Sequence, residues 1–228
     1  KSRAYQLIGE DGETVVTMRQ LHDRVTNLEG KSNSHVSQEK LEAAAQQLAA
    51  EIQLAISQLD VEMAKSKAEV FSKKYPETKA YRHLSRVLKE LAVIGLDAGE
   101  LDVSEWFQGY AKMDEGKATL LVFWEVWCPH CKREVPKIES MYSRYSSRGL
   151  TVVGLTKVTR SATDESVRDF IAVNKLTYPI AKEDDGNLSK RFSVRGVPAA
   201  TIIKEGKVIW RGHPARISDS LLDKVLGE

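Results

Sequence analysis

Apolar residues in the first hundred positions recur at helical spacing. Residues 1–38 are polar and weakly patterned, with a short hairpin or extended piece expected around Tyr5–Ile8 and Thr14–Val16, joined by Gly9-Glu10-Asp11-Gly12. Met18, Leu21, Val25 and Leu28 then form a heptad-like stripe that Gly30-Lys31-Ser32-Asn33-Ser34 is expected to end. Ser37 is placed as the N-cap of a long helix running to Tyr75, where Pro76 stops it. Within it Leu41, Ala45, Leu48, Ile52, Ala55 and Leu59 alternate four- and three-residue steps, and the repeat fades at Glu62 and Ser66. Such a seam fits an amphipathic helix packed on its own domain or a coiled-coil oligomerisation helix. The shortage of other apolar material in residues 1–75 favours the second. A further helix is expected from Thr78 to Ile94, closed near Gly95 and followed by a domain boundary near residue 100.

Beyond that boundary the pattern changes to short apolar runs separated by helical stretches. Strands are predicted at 119–127, 150–155 and 178–181, with helices at 130–147, 164–174 and 187–192 between and after them. Two closing strands, 200–203 and 208–211, flank the Glu205-Gly206-Lys207 turn, and a last helix spans 217–226. Alternating strands and helices pair in parallel, whereas the closing hairpin is antiparallel. The predicted fold class is therefore α/β: a mixed sheet flanked by helices in 101–228, preceded by an α-helical N-terminal region in 1–100.

Composition removes several classes of function. The 228 residues carry a formal net charge of +2 with acidic and basic residues interspersed, which excludes the concentrated basic face of a nucleic-acid binder. No apolar run approaches the ~20 residues that span a bilayer. The amino end has no signal-type hydrophobic core, so a processed or shortened chain is expected. The only two cysteines, Cys128 and Cys131, stand in Cys-x-x-Cys spacing, an economy of thiols that favours an extracytoplasmic location. With His130 they would supply two or three zinc ligands, short of the four a structural site takes, so no metal and no cofactor is expected.

The chemistry concentrates in Trp127-Cys128-Pro129-His130-Cys131, directly behind the apolar run 119–124. Cys128 falls at a helix N-terminus, where unpaired backbone N–H groups and the positive end of the helix dipole favour a thiolate. That makes Cys128 the expected attacking sulfur. His130 adds a group that is cationic near neutrality, and Pro129 fixes the turn. Cys131, one helical turn on and facing inward, is the expected resolving thiol.

Phe123-Trp124-Glu125-Val126-Trp127-Cys128-Pro129-His130-Cys131, followed downstream by Gly196-Val197-Pro198-Ala199, resembles the thioredoxin fold over roughly residues 101–228. Within it the chain is most similar to the TlpA/ResA-like group of exported thiol-disulfide oxidoreductases, whose extra helix-strand element corresponds to about 157–183. The Cys-Pro-His-Cys dithiol and the valine before the proline look instead like DsbA. The resemblance implies that Pro198 is a cis-proline lying against the dithiol and that the backbone of Val197 pairs with an extended substrate. Thioredoxins and DsbA also place a buried carboxylate six residues before the first cysteine, and here that position is Val122. Glu125 is the remaining candidate for a proton shuttle to the resolving thiol, set against the simpler reading of a solvent-facing strand-end carboxylate. Trp127 is expected beside the dithiol and Trp124 in the core.

These residues imply an enzyme that exchanges disulfides with substrate proteins as oxidase or isomerase. Its partners would be proteins bearing thiols or disulfides and a redox partner protein, with homo-oligomers formed through the N-terminal helices. A TlpA/ResA-like reductase for a dedicated partner is one alternative. A helical binding or chaperone module with an accessory redox domain is another. A thiol peroxidase needs one activated cysteine with a nearby Thr or Ser and an Arg, a pattern not arranged around Cys128.

Overall fold

A computed structural model describes residues 18–113, 115–183 and 186–227. The hairpin expected around Tyr5–Val16 lies outside them. Helix α1 spans Met18–Ser57 and runs through Gly30, so the break expected at Gly30–Ser34 is not there. A glycine in a helix interior costs only about 1 kcal/mol relative to alanine, which is too little to stop a helix by itself.

The single helix expected over 37–75 is instead two. Helix α1 closes with Leu59 at φ 56°, and Asp60 N donates to Ala55 O at 2.9 Å, the bond that ends a helix on a left-handed residue. Asp60 then caps helix α2, Val61–Lys74, by accepting from Met63 N at 3.0 Å. The resulting hairpin turns the seam inward. Ala45, Ile52 and Ala55 are buried with Ala64, Ala68 and Phe71 of α2 and with Leu84 and Leu91 of helix α3, Lys79–Leu91. Packing within the chain thus uses the middle of the expected coiled-coil seam, while Leu41 stays exposed. The Glu42 carboxylate of α1 reaches the amino end of α3, accepting from Lys79 N and Ala80 N, both at 2.8 Å.

A six-stranded sheet follows. In chain order its elements are β1 (Glu105–Gln108), β2 (Ala118–Trp124), α4 (Pro129–Tyr145), β3 (Leu150–Thr156), α5 (Asp164–Val173), β4 (Ile180–Lys182), α6 (Asn187–Arg191), β5 (Ala199–Lys204), β6 (Lys207–Gly212) and α7 (Asp219–Leu226). The strand order is β1-β4-β3-β2-β5-β6, with β2, β3 and β4 parallel and the other pairings antiparallel. Strand β1, which the sequence pattern did not predict, pairs with β4 at the sheet edge. Its four residues are too short for periodicity to register.

Alternation along β2 sorts the core into two layers. Leu120, Val122 and Trp124 face Cys131, Val135 and Ile138 of α4 together with Leu222 and Val225 of α7. Leu121 and Phe123 face the other way and join one cluster with Ile52, Phe71, Leu84 and Leu91. The N-terminal helices therefore cover one face of the sheet. Segment 95–98 ties them to its edge: Gly95 N donates to Val208 O at 2.7 Å and Ala98 N to Gly206 O at 2.8 Å.

Candidate active site

The end of β2 carries the chain out of the central sheet into Glu125–Trp127 and then into α4, whose N-cap is Cys128. Cys128 Sγ accepts from Cys131 N at 3.2 Å, so a backbone N–H of the first turn points at this sulfur. Its own S–H donates to Val197 O at 3.6 Å. Both cysteines are free thiols, and Cys131 has no exposed surface. The Val197–Pro198 peptide bond is cis, and the Val197 carbonyl at its start faces Cys128.

Burial pushes the Cys131 thiol far above the ordinary thiol range. Hydrogen bonding and charge interaction with Cys128 act in the same direction, as does the Glu125 carboxylate, while the Glu125 backbone N–H works against them. A raised folded-state value has a definite sign in linkage. The stability gained by keeping Cys131 protonated is fully present below the unfolded thiol value of about 8.5 and is lost as pH rises above it. Tyr178, also raised by burial, adds a loss of the same sign at higher pH. The urea midpoint of the reduced protein is expected to fall above about pH 9, and Cys131→Ala should flatten the first part of that fall. An unchanged profile in the variant would remove Cys131 as its source.

Glu125 is half-buried and engaged through its Oε2. Trp127 Nε1 donates to its Oε2 at 2.5 Å and is 3.0 Å from Thr159 Oγ1, and the Thr159 hydroxyl donates to the same carboxylate oxygen. The Arg160 guanidinium lies 3.6 Å from the Trp127 ring centroid, a cation–π contact that clamps the indole from the other side. Trp127 is thus a fixed wall of the dithiol cavity. Trp124 is fully buried and packs against Phe170 at 5.1 Å between centroids.

His130 is exposed, with Arg133 Nη2 2.6 Å from its Nδ1. A guanidinium only donates, so in this contact Nδ1 is the acceptor and the ring carries its proton on Nε2. Val122, at the position of the missing carboxylate, is fully buried in the core. Pro129 is exposed at the first position of α4.

A cavity of about 480 Å³ opens on Cys128, lined among others by Trp127, His130, Glu183 and Val197. Sequence reading missed Thr159, Arg160, Glu183 and Arg211. Glu183 is buried and accepts from Ser189 N and Ser189 Oγ, both at 2.6 Å. Arg211 is buried and donates to Phe192 O at 2.9 Å, Ala200 O at 3.2 Å and Gly212 O at 2.9 Å, which staples the segment carrying Val197 and Pro198. One signal for it was available: an arginine directly after the apolar run Val208-Ile209-Trp210, still within the predicted strand.

Residues 100–211 match the AhpC/TSA family. That segment is an AhpC/TSA-family thioredoxin-like domain. Its curated relatives include Sporulation thiol-disulfide oxidoreductase A of Bacillus subtilis, 35% identical over 92 residues covering 40% of this chain and 56% of the relative. Thiol-disulfide oxidoreductase ResA of Bacillus thuringiensis is 32% identical over 96 residues, covering 42% of this chain and 54% of the relative. The matches thus span little more than half the length of these relatives. A thiol:disulfide interchange protein of the thioredoxin family from Chlorobium tepidum superposes with a TM-score of 0.50 at 22% identity, covering 58% of this chain and 97% of that one. A thioredoxin-like protein solved in its oxidised form gives 0.52 at 22% identity over 58% and 96%. These structures share the fold of the thioredoxin-like domain.

Proposed function

We propose that this chain is a protein thiol-disulfide oxidoreductase working through Cys128 and Cys131, with 101–228 as its catalytic unit. The observation that carries the reading is the helix-capping geometry: Cys128 Sγ faces the cavity and accepts the Cys131 N–H, while Cys131 is buried one turn behind it. The Cys128 thiolate attacks a substrate disulfide, forming one S–S bond and releasing one substrate thiol. Cys131, once deprotonated, attacks Cys128 Sγ, closes the internal disulfide and expels the second substrate thiol. Two electrons pass from the dithiol to the substrate, and the reverse sequence oxidises a substrate dithiol. Val197 and Pro198 hold the substrate backbone, Trp127 bounds its site, and Glu125 sits within electrostatic reach of the Cys131 proton.

Oxidase or isomerase is the direction we favour, on the Cys-Pro-His-Cys sequence. A reductase for a dedicated partner is the second reading, supported by the likeness to ResA. Two parallel assays in defined glutathione buffer separate them: oxidation of a reduced protein and reactivation of a scrambled one. Activity in either assay supports the favoured direction, activity in neither with retained reduction of a peptide disulfide supports the second reading, and inactivity toward every disulfide rejects both.

Homo-oligomerisation through the N-terminal part of α1 is a separate element of the proposal. Its support is the stripe containing Val25 and Leu28, 46% and 67% exposed, which no described element covers. Sedimentation of the whole chain and of Val25→Glu/Leu28→Glu tests it, since a wild-type monomer would end the idea. The extracytoplasmic placement rests on the two-cysteine economy and the resemblance to an exported group. Among the described residues no helix is long and apolar enough to cross a membrane.

A further inference from the structure

A second cavity, of about 540 Å³, shares His130, Arg195, Gly196 and Val197 with the dithiol cavity. One wall is the face of α3 bearing Ser85, Arg86, Lys89 and Glu90, and the opposite wall includes Arg195 and Arg211. The α3 wall comes from outside the AhpC/TSA match, which begins at residue 100. The helices placed against the sheet thus complete a cleft that the thioredoxin-like domain alone leaves open.

Its charge is one-sided. Arg86, Lys89 and Arg195 are exposed, and among the described residues none of their side chains makes a hydrogen bond or ion pair. Glu90 is the only acid in the wall, and its Oε2 is taken by Arg216 Nη2. Glu134, near the mouth, is paired with Lys137 at 2.9 Å. His213 adds little charge, because burial, with Arg216, Arg86 and His130 nearby, lowers it below the ordinary imidazole value despite the opposing field of Glu134. What remains is a cationic cleft that adjoins, through His130, Arg195, Gly196 and Val197, the cavity lined by Cys128.

We propose that this cleft selects acidic polypeptides: an extended segment presents its reactive cysteine to Cys128 while flanking aspartate or glutamate side chains face Arg86, Lys89 and Arg195. The proposal rests on the disulfide-exchange reading and names its substrate class. A polypeptide fits because the ligand must offer a sulfur at one end of the cleft and carboxylates along the rest. Selection then resides in α3, and its electrostatic part acts mainly on encounter.

The test uses the reduced full chain and symmetric disulfides of short peptides, acetylated and amidated so that no terminal carboxylate counts, with Glu, Gln or Lys flanking one cysteine. Each rate of peptide-thiol release is divided by the rate with dithiothreitol, which cancels intrinsic reactivity. At low ionic strength the Glu peptide should exceed the Gln peptide by about tenfold, with the Lys peptide slowest. The spread should collapse as salt shortens the Debye length from about 30 Å at 0.01 M to about 3 Å at 1 M. Arg86→Glu/Lys89→Glu should invert the order, and Arg86→Gln/Lys89→Gln should flatten it. Both positions are exposed on α3, and an inverted preference is not something misfolding produces. Equal normalised rates for the wild type, or an unchanged order in the charge-reversed variant, would overturn the substrate class and leave the exchange reading standing. Reaction with none of the peptides would overturn both.

Discussion

Cys128→Ser is expected to lower disulfide exchange on the order of 10³-fold or more, because a serine hydroxyl does not ionise near neutrality and cannot form the S–S intermediate. Cys131→Ser should behave differently. Its Cys128 still faces the cavity and still attacks, but the buried thiol that would displace the substrate is gone. The variant should therefore react once and accumulate a mixed disulfide, seen as a mass increment equal to one substrate and reversed by dithiothreitol. The asymmetry follows from access: Cys128, though only 4% exposed, lines the cavity, whereas Cys131 has no exposed surface with which to meet an external disulfide. Turnover by Cys128→Ser, or a stable adduct on Cys131 in that variant, would reverse the assignment of the two sulfurs.

Arg211→Met should lower stability by about 3 kcal/mol, the second large effect expected. Methionine keeps the length of the side chain but leaves the carbonyls of Phe192, Ala200 and Gly212 without the donor that now serves all three. Burial lowers the guanidinium's hold on its proton, yet an arginine remains charged under all ordinary conditions, so the three carbonyls receive charge-assisted bonds. For a chain of this size the loss corresponds to a fall in Tm of roughly 6–12 °C. Lysine should restore only part of it, since an ammonium cannot reproduce the planar fork. Urea unfolding at constant m-value reads the change, and a shift under about 1 kcal/mol would mean that the segment around Pro198 is held by other contacts.

Much of the thioredoxin-like domain was readable because its central strands are apolar along most of their length and its helices are amphipathic. Strand β2, at 118–124 against an expected 119–127, and the closing hairpin differ from the structure only at their ends. The dithiol was readable for a different reason: its chemistry is local, set by two residues and the helix they begin. The helical region was less legible. The turn at Leu59–Asp60 contains neither Gly nor Pro, and its one signal, an aspartate that can cap α2, competes with a helical pattern on both sides. Whether the seam of α1 meets its own chain or another copy could not be read from a periodicity common to both.

By itself the sequence determined a Cys-x-x-Cys dithiol at a strand-to-helix junction, an α/β element order and a helical leader, because local pattern and short-range spacing encode all three. Tertiary structure alone decided the rest. It brought Val197 O to Cys128 across 69 positions, fixed Glu125 under Trp127 through Thr159, and set α3 as a cationic wall beside the site. Each of these joins residues far apart in the chain. Such contacts form because the sheet buries both its faces, and nothing in the local spacing of the residues specifies them.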